Sequence, residues 1–125
     1  MKKILLLMFL LPSFAFGYTE REHPLICAFA QARLQDIQGD FSHRGFYGTT
    51  TLLKVYDKIG HTRANWLPKG MLRENLARGF SKKEDVFKAW KNSPTHNANL
   101  VAESEYSCLR SANGHWVLIT FLHIK

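Results

Sequence analysis

The sequence lacks most of the patterns by which specialised protein classes are recognised. It contains only two cysteines, no internal repeat and no low-complexity tract. Neither cysteine has a histidine at metal-ligand spacing, which argues against a zinc ribbon. No serine lies in a G-x-S-x-G nucleophile elbow, so acyl transfer is not favoured. No linker divides the chain, and a single domain is expected.

Long hydrophobic runs are also missing, except at the very start. Lys2-Lys3 precede an apolar run from Ile4 to Leu11, and small residues follow at Ala15 and Gly17. This order is typical of a secretory signal peptide. The alternative is a retained membrane anchor, but a spanning helix needs about 20 apolar residues. We therefore predict a signal peptide over residues 1–17, a domain over 18–125, and a secreted or periplasmic location.

Acidic residues are few: the sequence has 10 of them against 17 lysines and arginines, for a net charge of +7. Loss of Lys2 and Lys3 with the leader lowers this to +5 in the mature chain, which suits anionic partners. An envelope component, a lipid or a host molecule is expected, bound to a monomer without a transmembrane segment. Basic and aromatic residues do not alternate as in nucleic-acid-binding motifs, so nucleic acid is not favoured.

The predicted export determines how the two cysteines are interpreted. Removal of 17 residues leaves 108, and so small a domain buries a modest share of its surface. In an oxidising compartment, an even count of two predicts one disulfide, between Cys27 and Cys108. Two separate buried thiols are the alternative.

Apolar spacing predicts three helices in the mature chain. The first begins at Pro24 and ends near Gly39. The second covers Thr49–Thr51 to Ile59. The third begins at Ser81, where Ser81 to Glu84 has the form of a capping box. The inward row of the first helix contains one charged residue: Leu25, Ile26, Phe29, Ala30, Arg33, Leu34 and Ile37.

Other segments of the mature chain have the patterns of strands. Residues 106–109 and 116–122 form a predicted hairpin around Asn113-Gly114, the pair preferred in type I′ turns. Another short strand is predicted over Met71 to Leu76. Helices mixed with hairpin-linked strands favour an α+β sandwich over a parallel doubly wound sheet.

Four stretches, in order, resemble the bacterial branch of the CAP superfamily (cysteine-rich secretory proteins, antigen 5 and pathogenesis-related proteins; the SCP-like domain). They are Phe41-Ser42-His43-Arg44-Gly45, Arg73-Glu74-Asn75-Leu76-Ala77, the stretch from Trp90 to Leu100, and Gly114-His115-Trp116-Val117 to Phe121. The third is similar to the family's W-x-N-S-P-x-H-x-x-N-(I/L) pattern and is the most specific.

The resemblance implies a three-layer α-β-α sandwich with a small, mainly antiparallel sheet. Departures from the family pattern accompany it. Few mature residues precede Pro24, so the family's usual first helix is largely missing. Arg73 stands where the family usually has Gly, and Asn92-Ser93 stand where eukaryotic members carry a second Glu.

Carried over from the family, the candidate site is His43, Glu74 and His96, which lie on three separate elements. A turn at Ser93-Pro94-Thr95 is expected to carry His96. Two imidazoles and a carboxylate are a suitable ligand set for Zn²⁺, which could activate a bound water. Without metal, Glu74 would orient one histidine.

Two functions compete. One is a non-enzymatic exported module that binds a ligand in a His/Glu cleft and requires no cofactor. The alternative is a Zn²⁺-dependent hydrolase of peptide or glycan bonds, with His43 and His96 as ligands and Glu74 as third ligand or general base. The incomplete catalytic set favours the first. A secreted toxin-like effector is compatible with the sequence but not required by it.

Overall fold

The computed structural model describes residues 18–50 and 70–123. Three helices and three strands have both ends within these ranges, and residues 45–50 are also helical. In chain order they are α1 (Pro24–Gly39), β1 (Gly70–Arg78), α2 (Lys83–Lys91), α3 (Pro94–Val101), β2 (Tyr106–Ala112) and β3 (His115–His123).

The strands form one antiparallel sheet in the order β1-β3-β2. The central strand, β3, is buried from Trp116 to Phe121, so both of its faces must be covered. Among residues 18–50 and 70–123, β1 pairs with β3 alone and is an edge strand, with Glu74 opposite Ile119. Its free edge therefore needs partners from elsewhere in the fold.

Helices cover both faces of this sheet. One cluster packs α1 against the β3 residues Val117, Ile119 and Phe121. The other packs α2 and α3 against the alternate β3 residues Trp116 and Leu118. Because side chains alternate along a strand, the two clusters lie on opposite faces. The α+β class expected from the sequence is confirmed, with helical layers on either side of the sheet.

Short sequence patterns predicted where most of these elements lie. α1 begins at Pro24 and ends at Gly39, as predicted. His23 caps it, because its Nδ1 accepts the Leu25 amide hydrogen at 3.1 Å. The hairpin turn is Asn113-Gly114, with φ of 52° and 72°. Positive φ at both central residues is the type I′ geometry, which explains the preference for this pair.

Two local predictions on either side of α2 differ from the structure. The capping box at Ser81 is wrong: α2 begins one residue later, its N-cap is Lys82, and no side chain caps it. Just before this start, the Phe80 carbonyl accepts the indole N–H of Trp116 at 2.9 Å. The turn expected at 93–95 is instead the start of α3, with Pro94 in the first turn.

The predicted second helix lies largely outside the described residues. Its described part is helical from residue 45, earlier than the expected start at Thr49–Thr51. The predicted signal peptide at 1–17 also lies outside the described residues. Among residues 18–50 and 70–123, no helix has the length and apolar character needed to cross a bilayer.

The disulfide between Cys27 and Cys108 is confirmed and joins α1 to β2. The cysteine Cα atoms are 5.2 Å apart, a normal separation for a bridge. The two residues are 81 positions apart in the chain, so the bridge closes most of the domain into one loop. Such bonds are typical of proteins that fold in oxidising compartments.

Removal of the bridge should lower stability substantially. A Cys27→Ala/Cys108→Ala variant is expected to lose on the order of 4 kcal/mol of unfolding free energy, since the unfolded chain regains the entropy of a long open loop. Urea unfolding followed by tryptophan fluorescence measures the difference. Reductant should destabilise the wild type and leave the variant unchanged; equal stability of the two proteins would contradict the prediction.

Candidate functional site

A buried ion pair between Arg33 and Glu74 forms the base of the site. Arg33 lies on the inward row of α1, and its side chain is fully buried. Its Nε donates to Glu74 Oε2 at 2.5 Å, and its Nη2 donates to Oε1 at 3.0 Å. The Glu74 side chain is only 3% exposed. This is the two-bond arrangement that the planar guanidinium makes with a carboxylate.

Arg33 also holds the loop that follows α1. Its Nη2 donates to the Ser42 carbonyl at 2.9 Å, and its Nη1 donates to Asp36 Oδ2 at 3.2 Å. Burial alone would lower the pKa of Arg33, but Glu74 and then Asp36 outweigh it, so the pKa is raised above its usual value. The guanidinium is therefore a permanent charge at this position.

His43 is placed by the same loop. Because Arg33 binds the carbonyl of Ser42, the next side chain is directed to Glu74, and His43 Nδ1 lies 2.8 Å from Oε1. The imidazole is 63% exposed, so its other nitrogen, Nε2, remains at the surface. Within the described residues, nothing bonds to Nε2.

Gly45 lets this loop approach α1. A Cβ atom on Gly45 would lie 2.5 Å from Arg33 Nη1 and 3.1 Å from Asp36 Oδ2. Both groups are held by hydrogen bonds, since Thr49 Oγ1 also donates to Asp36 at 2.9 Å. A larger residue would displace the loop and, with it, His43.

His96 lies close to this pair but points elsewhere. Its carbonyl accepts a hydrogen bond from Asn75 Nδ2 at 3.0 Å, which holds it beside β1. Its Nδ1 is 2.9 Å from the hydroxyl of Ser93, the N-cap of α3. Burial, and then the charge of His43, lower the pKa of His96 below 6.5.

The three candidate residues converge without forming a ready metal site. Two of them, His43 and Glu74, are in direct contact. Their ligand atoms and those of His96 do not all lie within 4.8 Å of one another. In the described part of the chain, the only such group of three is Glu22 with Cys27 and Cys108, and both sulfurs are bonded in the disulfide. As arranged, the histidines and Glu74 do not fit one shared ion.

The remaining motif residues hold the helices on the free edge of β1. The Glu74 carbonyl accepts from Asn99 Nδ2 at 3.2 Å, and the Leu76 carbonyl accepts from the Trp90 indole at 3.0 Å. Asn99 Nδ2 also donates to Asn75 Oδ1 at 2.8 Å. These side chains occupy carbonyls that a foreign strand would otherwise bind, which blunts the edge.

An open cleft of about 300 Å³ lies over the His43–Glu74 pair. Its lining combines an apolar wall with a few polar groups, and His96 is not part of it. The lining residues are His43, Phe46, Tyr47, Leu72, Arg73, Glu74 and Asn99. Such a combination is typical of small-molecule sites.

The sequence predicts two of the lining residues as site residues, His43 and Glu74, through the family resemblance. Arg73 and Asn99 lie in the motif stretches but carry no predicted role in binding. Arg33 has a signal of its own in the sequence, because it is the one charge on an otherwise apolar inward row. A buried arginine requires a carboxylate partner.

Substitution of Arg33 should destabilise the domain strongly. Arg33→Met leaves the Glu74 carboxylate buried without its counter-charge, and we expect a loss of about 3–5 kcal/mol in unfolding free energy. Chemical unfolding monitored by circular dichroism gives the value. Arg33→Met/Glu74→Gln should lose less than Arg33→Met alone, because no buried charge is left unpaired; a larger loss in the double variant would argue against the pair as the central contact.

The titration of His96 should follow from its surroundings. Its folded pKa lies below 6.5, so its neutral form contributes stability above about pH 6.5, and that contribution is lost as the pH falls through the lowered folded value. Nuclear magnetic resonance of the imidazole protons measures the midpoint. His43→Asn should raise it partway toward 6.5, because the charge of His43 is the second cause of the shift. His115→Asn is the control and should not move it; an unchanged midpoint in His43→Asn would contradict the assignment.

Comparisons with known proteins leave the family open. No protein-family model, curated protein or solved structure matches this chain. The resemblance of its motifs to the CAP superfamily therefore stays a prediction. The function has to be argued from the contacts around the cleft.

Proposed function

We propose that this chain is a short exported member of the CAP superfamily that binds a small ligand in the cleft above Glu74 and does not turn it over. The observation that carries the proposal is the set of contacts made by the Glu74 carboxylate. Arg33 takes both of its oxygens, and His43 shares one of them. The carboxylate thus positions a histidine at the mouth of a cleft.

This arrangement makes Glu74 a poor catalytic group. A general base or metal ligand needs a carboxylate oxygen directed at the proton or ion it serves. Three of the approximately four lone-pair sites of a carboxylate are already occupied here.

The cleft offers the groups that recognition requires. Phe46, Tyr47 and Leu72 supply apolar surface, while His43 and Asn99 supply polar groups. Asn99 is held in place because its Nδ2 binds two acceptors on β1. Because Arg33 fixes the loop of His43, these groups need little ordering when a ligand arrives, which favours affinity.

Two features of the whole chain fit an exported binding module. The disulfide between α1 and β2 suits an oxidising compartment. The positive charge suits anionic surroundings such as an envelope or a lipid surface. Three of the four motif stretches that resemble the CAP pattern contribute residues around one cleft, namely His43, Arg73, Glu74 and Asn99.

Binding can be tested with a neutral aromatic probe, N-phenylnaphthylamine, whose fluorescence rises in apolar sites. We expect saturable one-to-one binding to the mature chain, weakened about threefold to tenfold in Tyr47→Ser, because part of the apolar wall is lost. Met71→Ser is the matched control, since Met71 is an exposed apolar residue on β1 that does not line the cleft.

Absence of saturable binding, or equal weakening by both substitutions, would contradict the proposal. The competing Zn²⁺ hydrolase makes a separate expectation, tested by titration calorimetry with Zn²⁺. Stoichiometric uptake that disappears in both His43→Gln and His96→Gln would favour the hydrolase over the binding module. We expect no such uptake.

A further inference from the structure

We infer that the ligand of this cleft is an amphipathic organic anion whose charged group is bound by Arg73. This inference rests on the proposed binding function and names the chemical class of its ligand. It comes from the balance of charges around the cleft and from the division of its lining into two halves.

Of the arginine and the glutamate that line the cleft, only the glutamate is paired with a charged side chain of the described residues. The Glu74 carboxylate is bound by Arg33 beneath it. Asp36 on α1 shares the same guanidinium, but it does not line the cleft. Among residues 18–50 and 70–123, no carboxylate pairs with Arg73. Within the cleft lining the carboxylate is already bound and the guanidinium is available, which favours an anion at Arg73.

The sheet edge explains how Arg73 reaches the same cleft as Glu74. Neighbouring residues on a strand point to opposite faces, so Glu74 faces α1 and Arg73 faces the side covered by α2 and α3. β1 is an edge strand, however, and the cleft spans its free edge. Both side chains therefore line it.

A guanidinium in this setting is suited to carboxylate and phosphate oxygens. Its planar fork can donate two parallel hydrogen bonds, and such charge-assisted bonds are stronger than neutral ones. Arg73 is half-buried, so water competes less strongly with an anion for the guanidinium than it would at a fully exposed arginine. Asn99, which lines the same cleft, is fixed on α3 by its bonds to β1.

The other half of the lining is apolar and partly rigid. The Phe46 ring packs edge-on against Phe29, with ring centres 5.3 Å apart. Tyr47 stands next to it with 79% of its surface exposed, and Leu72 adjoins them from β1. A volume of about 300 Å³ is at the lower end for ligand sites, so a compact apolar body with one anionic group fits.

The test compares two fluorescent probes that differ in charge. Anilinonaphthalene sulfonate is an amphipathic anion, and N-phenylnaphthylamine is its neutral counterpart. We expect Arg73→Gln to weaken binding of the sulfonate about tenfold or more, because a charge-assisted contact is lost, and to leave the neutral probe within about twofold of wild type. Lys88→Gln removes the same charge from the exposed face of α2 and should change neither affinity.

The outcomes separate this inference from the function on which it rests. Saturable binding of the neutral probe, together with equal sulfonate affinity in Arg73→Gln and wild type, would overturn the anion assignment and leave the binding module standing. Equal weakening of both probes in Arg73→Gln would also overturn it, since Arg73 would then only shape the wall. Failure of the neutral probe to bind would instead remove the proposed function itself.

Two sources of the anion are distinguished by competition. Octanoate should displace the sulfonate probe, while octanol at the same concentration should not, if the ligand is a free organic acid. Displacement by phosphatidylglycerol vesicles but not by phosphatidylcholine vesicles would indicate a lipid headgroup. Either result, lost in Arg73→Gln, supports the anion site; displacement by octanol and octanoate alike would contradict it.

Discussion

The buried ion pair between Arg33 and Glu74 is the contact on which the rest of the site depends. Two charges taken out of water are costly unless their geometry is good and their remaining hydrogen-bonding positions are filled. Both conditions hold: the pair is joined by two bonds, Arg33 also binds Asp36 and the Ser42 carbonyl, and Glu74 also binds His43. One guanidinium thereby ties α1, the following loop and β1 together. The exposed histidine is a consequence of this arrangement, since its loop has no other described anchor of comparable strength.

A second constraint is the free edge of β1. Carbonyls on an edge strand must find donors, and here the donors are side chains of α2 and α3, namely Trp90 and Asn99. The most specific stretch of the sequence, from Trp90 to Leu100, therefore serves to dock two helices on a strand. Its histidine is held through its own backbone by Asn75 and lies outside the cleft lining. Motif residues that invite a chemical interpretation can thus have an architectural role, and of this stretch only Asn99 lines the cleft.

Features encoded by neighbouring residues were predictable, while features encoded by distant ones were not. The Asn113-Gly114 hairpin and the limits of α1 follow from backbone preferences of a few residues, and both are confirmed. The disulfide follows from an even cysteine count, since only one pairing exists. The capping box failed, since the N-cap of α2 is Lys82 and no side chain caps the helix. The expectation that His43 and Glu74 lie together rested on the family resemblance, because no spacing rule brings together residues on separate elements.

The α+β class, the hairpin, the single possible disulfide and the basic character of the chain can be read before folding is known, because they depend on local preferences and on composition. What the candidate residues can do depends on contacts that exist only in the folded chain. In the fold, Glu74 forms an ion pair with Arg33, and His96 contacts the Ser93 hydroxyl. Within the described residues, Arg73 lines the cleft without a partner carboxylate. The physical reason is that the charge state and reach of a side chain depend on the partners that folding brings to it, and these partners lie tens of residues away.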